Sequence, residues 1–283
     1  MTDHILTLSC PDQRGIVHAV AGFLAHLDCN ILDSAQFGDA DTGRFFMRVH
    51  FAEGPSSPGL EGLRSAFAAV SDRFAMSWQI HPTGQPTRAL ILVSRFDHCL
   101  HDLLYRHGTG ELAMDVRGVV SNHPDTEPLV RSFGLPYHHL PVTPDTKAEQ
   151  EVRLATLIDD EAVELVVLAR YMQILSADFV ALLAERIVNI HHSFLPSFKG
   201  ARPYQQAHGR GVKLIGATAH FVTPDLDEGP IIEQDVVRVD HAVSVDQMVA
   251  AGRDVERVVL ARAVRYFVER RLLLNDGKTV VFR

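Results

Sequence analysis

Three side chains in one stretch of this chain could carry out chemistry together. Asn189 and His191 sit in and just after the apolar run Ile187–Ile190, and Asp227 follows a second apolar run, Leu214–Phe221. Strand side chains alternate with a period of two, so Asn189 and His191 are expected on one side of a strand. If the second run lies beside the first, Asp227 joins them at the strand ends. An amide donor and a protonated imidazole can hold a developing oxyanion, while a carboxylate takes a proton from the nucleophile. That set suits attack on a carbonyl. No serine or cysteine has the surroundings of an activated nucleophile, and Ser193 lacks a GxSxG elbow. Direct attack by water or an amine is therefore expected, rather than an acyl-enzyme. The residue types by themselves leave both catalysis and plain packing open.

The remaining histidines offer a weaker case for a metal. His191-His192 and His138-His139 are adjacent pairs, expected to point to opposite sides of a strand, whereas zinc sites favour wider spacing such as HxxxH. No metal site is expected. His220 reads either as a partner supporting the site or as a satisfied core histidine.

The segments around these residues alternate between apolar strands and amphipathic helices from Arg88 onward. Ala89–Ser94, Val116–Ser121, Tyr137–Leu140, Leu165–Ala169 and Ile187–Ile190 read as strands. Cys99–His107, Glu127–Phe133, Lys147–Ile158 and Ser176–Leu183 read as helices between them. Such alternation predicts a mostly parallel sheet covered on both faces. Val236–Val239, a long helix over Val245–Arg271 and Thr279–Phe282 complete this part. The turn after its first strand, Ser94-Arg95-Phe96-Asp97-His98, has no glycine. It cannot cradle a phosphate on backbone N–H groups as nucleotide-binding turns do. NAD, FAD and ATP are not expected, and no cofactor is predicted.

The first part of the chain reads differently. A strand near Ile5–Ser9, a helix over Ile16–Leu24, strands Asn30–Phe37 and Arg44–Phe51, a helix Leu60–Val70 and a strand Met76–Ile80 give the order βαββαβ, a ferredoxin-like unit. Asp12 is expected either to cap the first helix or to contact a ligand, and Gly15 to permit the turn. The stretch 82–87, with Pro82, Gly84 and Pro86, is the expected linker. It divides an N-terminal domain, 1–81, from a C-terminal one, 88–283.

Composition narrows the class. The chain has 283 residues, 46% of them hydrophobic, and a formal net charge of −8. No run approaches the ~18 apolar residues of a membrane helix, and an acidic balance disfavours general nucleic-acid binding. Neither a membrane nor a nucleic acid is an expected partner. Three cysteines without a CxxC and no signal peptide read as reduced thiols of a cytoplasmic protein.

Two resemblances sharpen this reading. The βαββαβ order with Asp12-Gln13-Arg14-Gly15 before the first helix resembles an ACT domain. That implies a regulatory unit binding a small amino acid, such as glycine or methionine, with Asp12, Gly15 and Asn30 as candidate contacts. From Arg88 on, the chain carries Asn189-Ile190-His191, Ser193-Phe194-Leu195-Pro196, Gly216, His220-Phe221-Val222-Thr223, Leu226-Asp227 and Gly229-Pro230. These motifs resemble the formyltransferase fold of 10-formyltetrahydrofolate enzymes, a Rossmann-like α/β domain. The resemblance implies Asn189, His191 and Asp227 as the catalytic set. It implies a pterin-binding loop over 169–175, with Met172, Gln173 and Leu175, together with Ser193, Gly216 and His220, as substrate contacts.

An ACT-like domain joined to this one, with Asn-Ile-His-His-Ser and Phe198-Lys199-Gly200-Ala201, resembles the formyltetrahydrofolate deformylases along the whole length. That implies hydrolysis of 10-formyltetrahydrofolate by water, which yields formate for purine synthesis and balances one-carbon pools, in a homo-oligomer. Formyl transfer to a small amine, or a non-catalytic folate or amino-acid sensor, are the alternatives.

Overall fold

The structure, a computed structural model, describes residues 2–195 and 203–283. The motif residues Pro196, Phe198, Lys199, Gly200 and Ala201 lie outside them. The chain divides into two compact units, Met1–Pro86 with Glu269–Arg283, and Thr87–Val268.

The first unit runs β1 (Asp3–Pro11), α1 (Ile16–His26), β2 (Cys29–Asp39), β3 (Arg44–Glu53), α2 (Gly59–Phe74) and β4 (Ser77–Pro82). Its antiparallel sheet has the order β2-β3-β1-β4. Leu6, Leu8 and Cys10 of β1 alternate with more exposed neighbours. They meet Ile16, Val20 and Leu24 of α1 and Leu63 and Phe67 of α2 in one core. Spacings of two on the strand and three to four on the helices put these residues on facing sides. Asp12 does not cap α1. The N-cap is Gly15, in the left-handed region at φ 94°, and no side chain caps the helix. A glycine is used there because that conformation costs it nothing.

The second unit runs β5 (Thr87–Val93), α3 (His98–Gly108), β6 (Met114–Ser121), α4 (Glu127–Ser132), β7 (Tyr137–His139), α5 (Lys147–Asp160), β8 (Leu165–Leu168), α6 (Ala177–Leu182), β9 (Ile187–His191), α7 (Pro203–Gly209), β10 (Leu214–Phe221), β11 (Ile231–Arg238) and α8 (Val245–Val268). The sheet order is β11-β10-β9-β8-β5-β6-β7. Strands β5 to β9 pair in parallel, while β10 is antiparallel to both β9 and β11. The central strands are apolar without alternation: Leu165–Leu168 is buried at every position. Strands covered on both faces take that pattern. From β5 the chain crosses to β6 on one side, and β8 lies on the other. The ends of β5 and β8 therefore flank the point where the strand order reverses, which is where such sheets leave a crevice.

The C-terminal hairpin, β12 (Leu272–Asn275) and β13 (Lys278–Val281), belongs to the first unit, not to the second as the 88–283 boundary expected. Buried Arg48 explains the difference. Its Nη2 donates to the Glu269 carbonyl at 3.1 Å and its Nε to the Arg270 carbonyl at 3.2 Å. Asn275 Nδ2 also donates to Asp39 Oδ2 at 2.6 Å. The long helix ends at Val268 rather than Arg271. No described helix is long and apolar enough to cross a membrane.

Candidate active site

Asn189 stands in register with Leu168 of β8 on one side and His220 of β10 on the other. Its Nδ2 lies 3.1 Å from His220 Nε2, and the second imidazole nitrogen settles the proton positions. His220 Nδ1 is 2.8 Å from the Phe221 carbonyl oxygen, which can only accept, so Nδ1 carries the hydrogen. The ring is 2% exposed, and burial holds its pKa below the ordinary histidine value against the pull of that carbonyl and of Asp227. In the neutral ring Nε2 is then an acceptor. The Asn189 group facing it must be the NH2, with its second hydrogen left to offer.

Asp227 reaches the same place from the loop after β10. Its Oδ1 lies 3.2 Å from His191 Nδ1 and 3.7 Å from His220 Nε2. The first is a hydrogen-bonded ion pair if His191 is protonated; the second is too long for a hydrogen bond. The His191 hydrogen bond holds the Asp227 carboxyl below its usual range, against the opposing effect of partial burial. Asp227 is therefore ionised at neutral pH.

The loop that carries it is tightly closed. Phe221 N donates to the Pro230 carbonyl at 2.9 Å. A Cβ at Gly229 would come within 1.8 Å of the Phe221 carbonyl oxygen, so only glycine fits. Asp227 itself is left-handed, at φ 58°, a conformation that aspartate tolerates better than most residues. Asp225 is exposed.

His192 does not point away from His191 as an adjacent strand pair would. The strand ends at His191, and the two rings lie 5.1 Å apart between centroids. Burial, then the charges of Arg170 and His191, push the His192 pKa down to about 4. It is a neutral wall at physiological pH, packed 6.5 Å from the Tyr204 ring.

The other expected contacts separate into two groups. Ser193 is buried, and its carbonyl accepts from Thr218 Oγ1 at 3.0 Å. That hydroxyl also accepts from Leu195 N at 3.0 Å and from Gln234 Nε2 at 2.9 Å. It thus pins residues 193–195 to β10. Gly216 lies four residues before His220, roughly 13 Å along the strand, away from the cluster. A Cβ there would meet the Asp235 carbonyl oxygen at 2.4 Å, which gives the glycine a packing reason.

The loop after β8 begins beside Asn189. Met172 is 53% exposed and Ile174 63% exposed, while Leu175 packs against the core and Gln173 is half-buried. The Met172 N–H donates to Ser94 Oγ at 3.0 Å. Leu226, one residue before Asp227, is 61% exposed. Both loops thus carry exposed apolar side chains.

In the first unit, Asp12 and Gly15 lie at one end of the sheet, where Pro11 pairs with Arg44. Asn30 lies at the other end, where it pairs with Ala52. The register separates them by roughly 26 Å, so within one chain they do not form one site.

Sequence reasoning missed a buried cluster next to the site. Glu256 of α8 is 1% exposed and lies 2.7 Å from His98 Nε2, 2.9 Å from Tyr204 OH and 3.4 Å from Arg170 Nε. Its signal was legible: an acid within the helical stripe Met248, Gly252, Glu256, Val259 and Leu260 is buried with the stripe. His98, Cys99 and Glu256 bring their ligand atoms within 4.8 Å of one another. This donor set fits a metal poorly. Burial raises the Cys99 thiol well above its ordinary pKa, and His98 and Tyr204 already hydrogen-bond the carboxylate, with Arg170 paired to it as a cation.

Comparison with known proteins places both parts of the chain in known families. The formyl transferase family matches residues 87–264, and the ACT domain family matches residues 4–65. A formyltetrahydrofolate deformylase of Corynebacterium sp. (strain P-1) is 53% identical over 281 residues, covering 99% of this chain and 98% of that protein. The crystal structure of formyltetrahydrofolate deformylase from Burkholderia mallei has 53% identity and a TM-score of 0.96, covering 100% of both chains. A glycinamide ribonucleotide transformylase from Symbiobacterium toebii is similar over 72% of this chain and 97% of its own, at 29% identity and a TM-score of 0.67. With both domains matched and identity sustained from end to end, the chain belongs to the formyltetrahydrofolate deformylase family.

Proposed function

We propose that this chain hydrolyses 10-formyltetrahydrofolate to formate and tetrahydrofolate at the cluster of Asn189, His191 and Asp227. The observation that carries the reading is the meeting of Asn189, His191, His220 and Asp227 at the ends of two paired strands, in a chain of this family.

The folate head lies along the loop after β8, against Met172 and Ile174, with its formyl carbon beside Asn189. Asp227, ionised at neutral pH, orients a water and accepts its proton as the oxygen attacks the formyl carbon. The free N–H of Asn189 and protonated His191 hold the oxyanion of the tetrahedral intermediate. Preorganised donors of this kind are worth ~10²–10³ in rate each. His220 keeps the Asn189 amide turned the right way. Collapse breaks the C–N bond, the proton passes through His191 to the leaving nitrogen, and formate departs. Folate is the substrate, and the step as written uses no further cofactor. The first unit is the place for an amino-acid effector such as glycine or methionine, and a homo-oligomer is the assembly we favour.

The test mixes the protein with 10-formyltetrahydrofolate and no amine, and measures formate and tetrahydrofolate over time. Equal yields of both are expected. Turnover that appears only when an amine is added would replace hydrolysis by formyl transfer.

A further inference from the structure

We propose that Glu256 is a positioning residue for the substrate cleft, acting through Arg170 to hold the turn that leads into the loop after β8. The inference rests on the reading that this loop receives the folate.

Glu256 is a carboxylate in an otherwise apolar stripe of α8, 1% exposed. A buried charge is costly unless it is paired and hydrogen-bonded. Its partners come from three separate segments: His98 at the start of α3 and Tyr204 in α7, both hydrogen-bonded, and Arg170, two residues after β8, as an ion pair at 3.4 Å in which the arginine Nε makes no hydrogen bond. Gly252, one turn earlier on α8, makes room for this. A Cβ there would lie 2.0 Å from the Tyr204 hydroxyl, so a side chain would push the tyrosine off the carboxylate.

Arg170 is where the network meets the site. It is left-handed, at φ 65°, a conformation costly for a side chain of this size unless its surroundings enforce it. Its guanidinium lies against Glu256 on one hand and 5.7 Å from the centre of the Phe96 ring on the other. Arg253 lies 5.5 Å from the centre of that same ring. The Arg170 carbonyl accepts from Ser94 N at 3.2 Å. Two residues on, Met172 N donates to Ser94 Oγ, which donates in turn to Asn122 Oδ1 at 2.7 Å. These bonds join the ends of β5 and β8 at the point where the strand order reverses. Leu168, two residues before Arg170, is in register with Asn189. A shift of the turn at Arg170 therefore displaces Met172 and Ile174 relative to the amide at the reacting centre.

The experiment uses the full chain with Glu256→Gln, which keeps the side-chain volume and an acceptor for Tyr204 but removes the charge facing Arg170. Tetrahydrofolate affinity, KM and kcat, melting temperature, and hydrogen exchange of peptides spanning 169–175 are measured. The expected result is a rise of about tenfold in both Kd and KM, kcat within about threefold, and faster exchange over 169–175. Arg170→Gln should behave alike, and the double variant should cost no more than either single one, because both act through one contact. Unchanged affinity and exchange in Glu256→Gln would overturn the proposal, as would additive costs in the double variant. Should Glu256→Gln not fold, Arg170→Gln carries the test, and wild-type affinity in that variant overturns it. If the wild type releases no formate, the hydrolase reading fails, while the exchange comparison still decides the role of Glu256.

Discussion

His191 Nδ1 and Asp227 Oδ1 lie 3.2 Å apart, although one comes from the end of a strand and the other from a loop beyond the next strand. The contact keeps Asp227 ionised and turns the imidazole edge toward the carboxylate. It couples the group that would accept the water proton to the group that would deliver one to the leaving nitrogen.

Asp227→Asn keeps the size of the side chain and removes its charge. The expected result is a fall in kcat of ~10²–10³, with KM changed by less than about threefold and a folded protein whose melting temperature drops only by the lost His191 pairing. Wild-type turnover in this variant would remove Asp227 from the base role.

Asn189→Ala removes an oxyanion donor, and a similar loss of ~10²–10³ in kcat is expected. His220→Phe leaves the amide in place but frees it to turn. A smaller loss, about tenfold in kcat, should follow, with KM for the folate held. A larger effect from His220→Phe than from Asn189→Ala would show that His220 does more than orient the amide.

His192 should leave a mark on the pH dependence of stability. Its pKa is about 4 in the folded chain and near the ordinary histidine value, ~6.5, when unfolded. Between those values the unfolded state binds the extra proton. Stability therefore falls as pH drops from about 6.5 to about 4, by roughly 1.4 kcal/mol per unit at most, and the effect of this group is flat below that. Denaturant melts at several pH values, compared between wild type and His192→Gln, measure it. The variant should show a shallower slope in that window.

Gly229→Ala puts a methyl group where the Phe221 carbonyl oxygen stands. The Asp227 loop must open to accept it, at a cost of about 3 kcal/mol in stability. Urea melts should show the loss, and turnover should fall with it because Asp227 leaves His191. An alanine variant with native stability would mean that the loop is held less tightly than its contacts indicate.

Local pattern carried much of this protein in the sequence itself. The apolar runs at Ala89–Ser94 and Leu165–Ala169 announced strands of a parallel sheet, which the structure forms over Thr87–Val93 and Leu165–Leu168. The period-two spacing of Asn189 and His191 announced a shared face, because these features depend only on neighbours along the chain. Tertiary structure decided what depended on distant contacts. Arg48 draws the C-terminal hairpin to the first unit through carbonyls more than two hundred residues away. The sheet register, not the motif, separates Asn30 from Asp12. His192 lies beside His191 because β9 ends one residue earlier than adjacency in a strand would require. Glu256 showed its burial in the helical stripe, but its partners His98, Tyr204 and Arg170 belong to other segments. A periodic pattern specifies which face is buried; only packing specifies what that face meets.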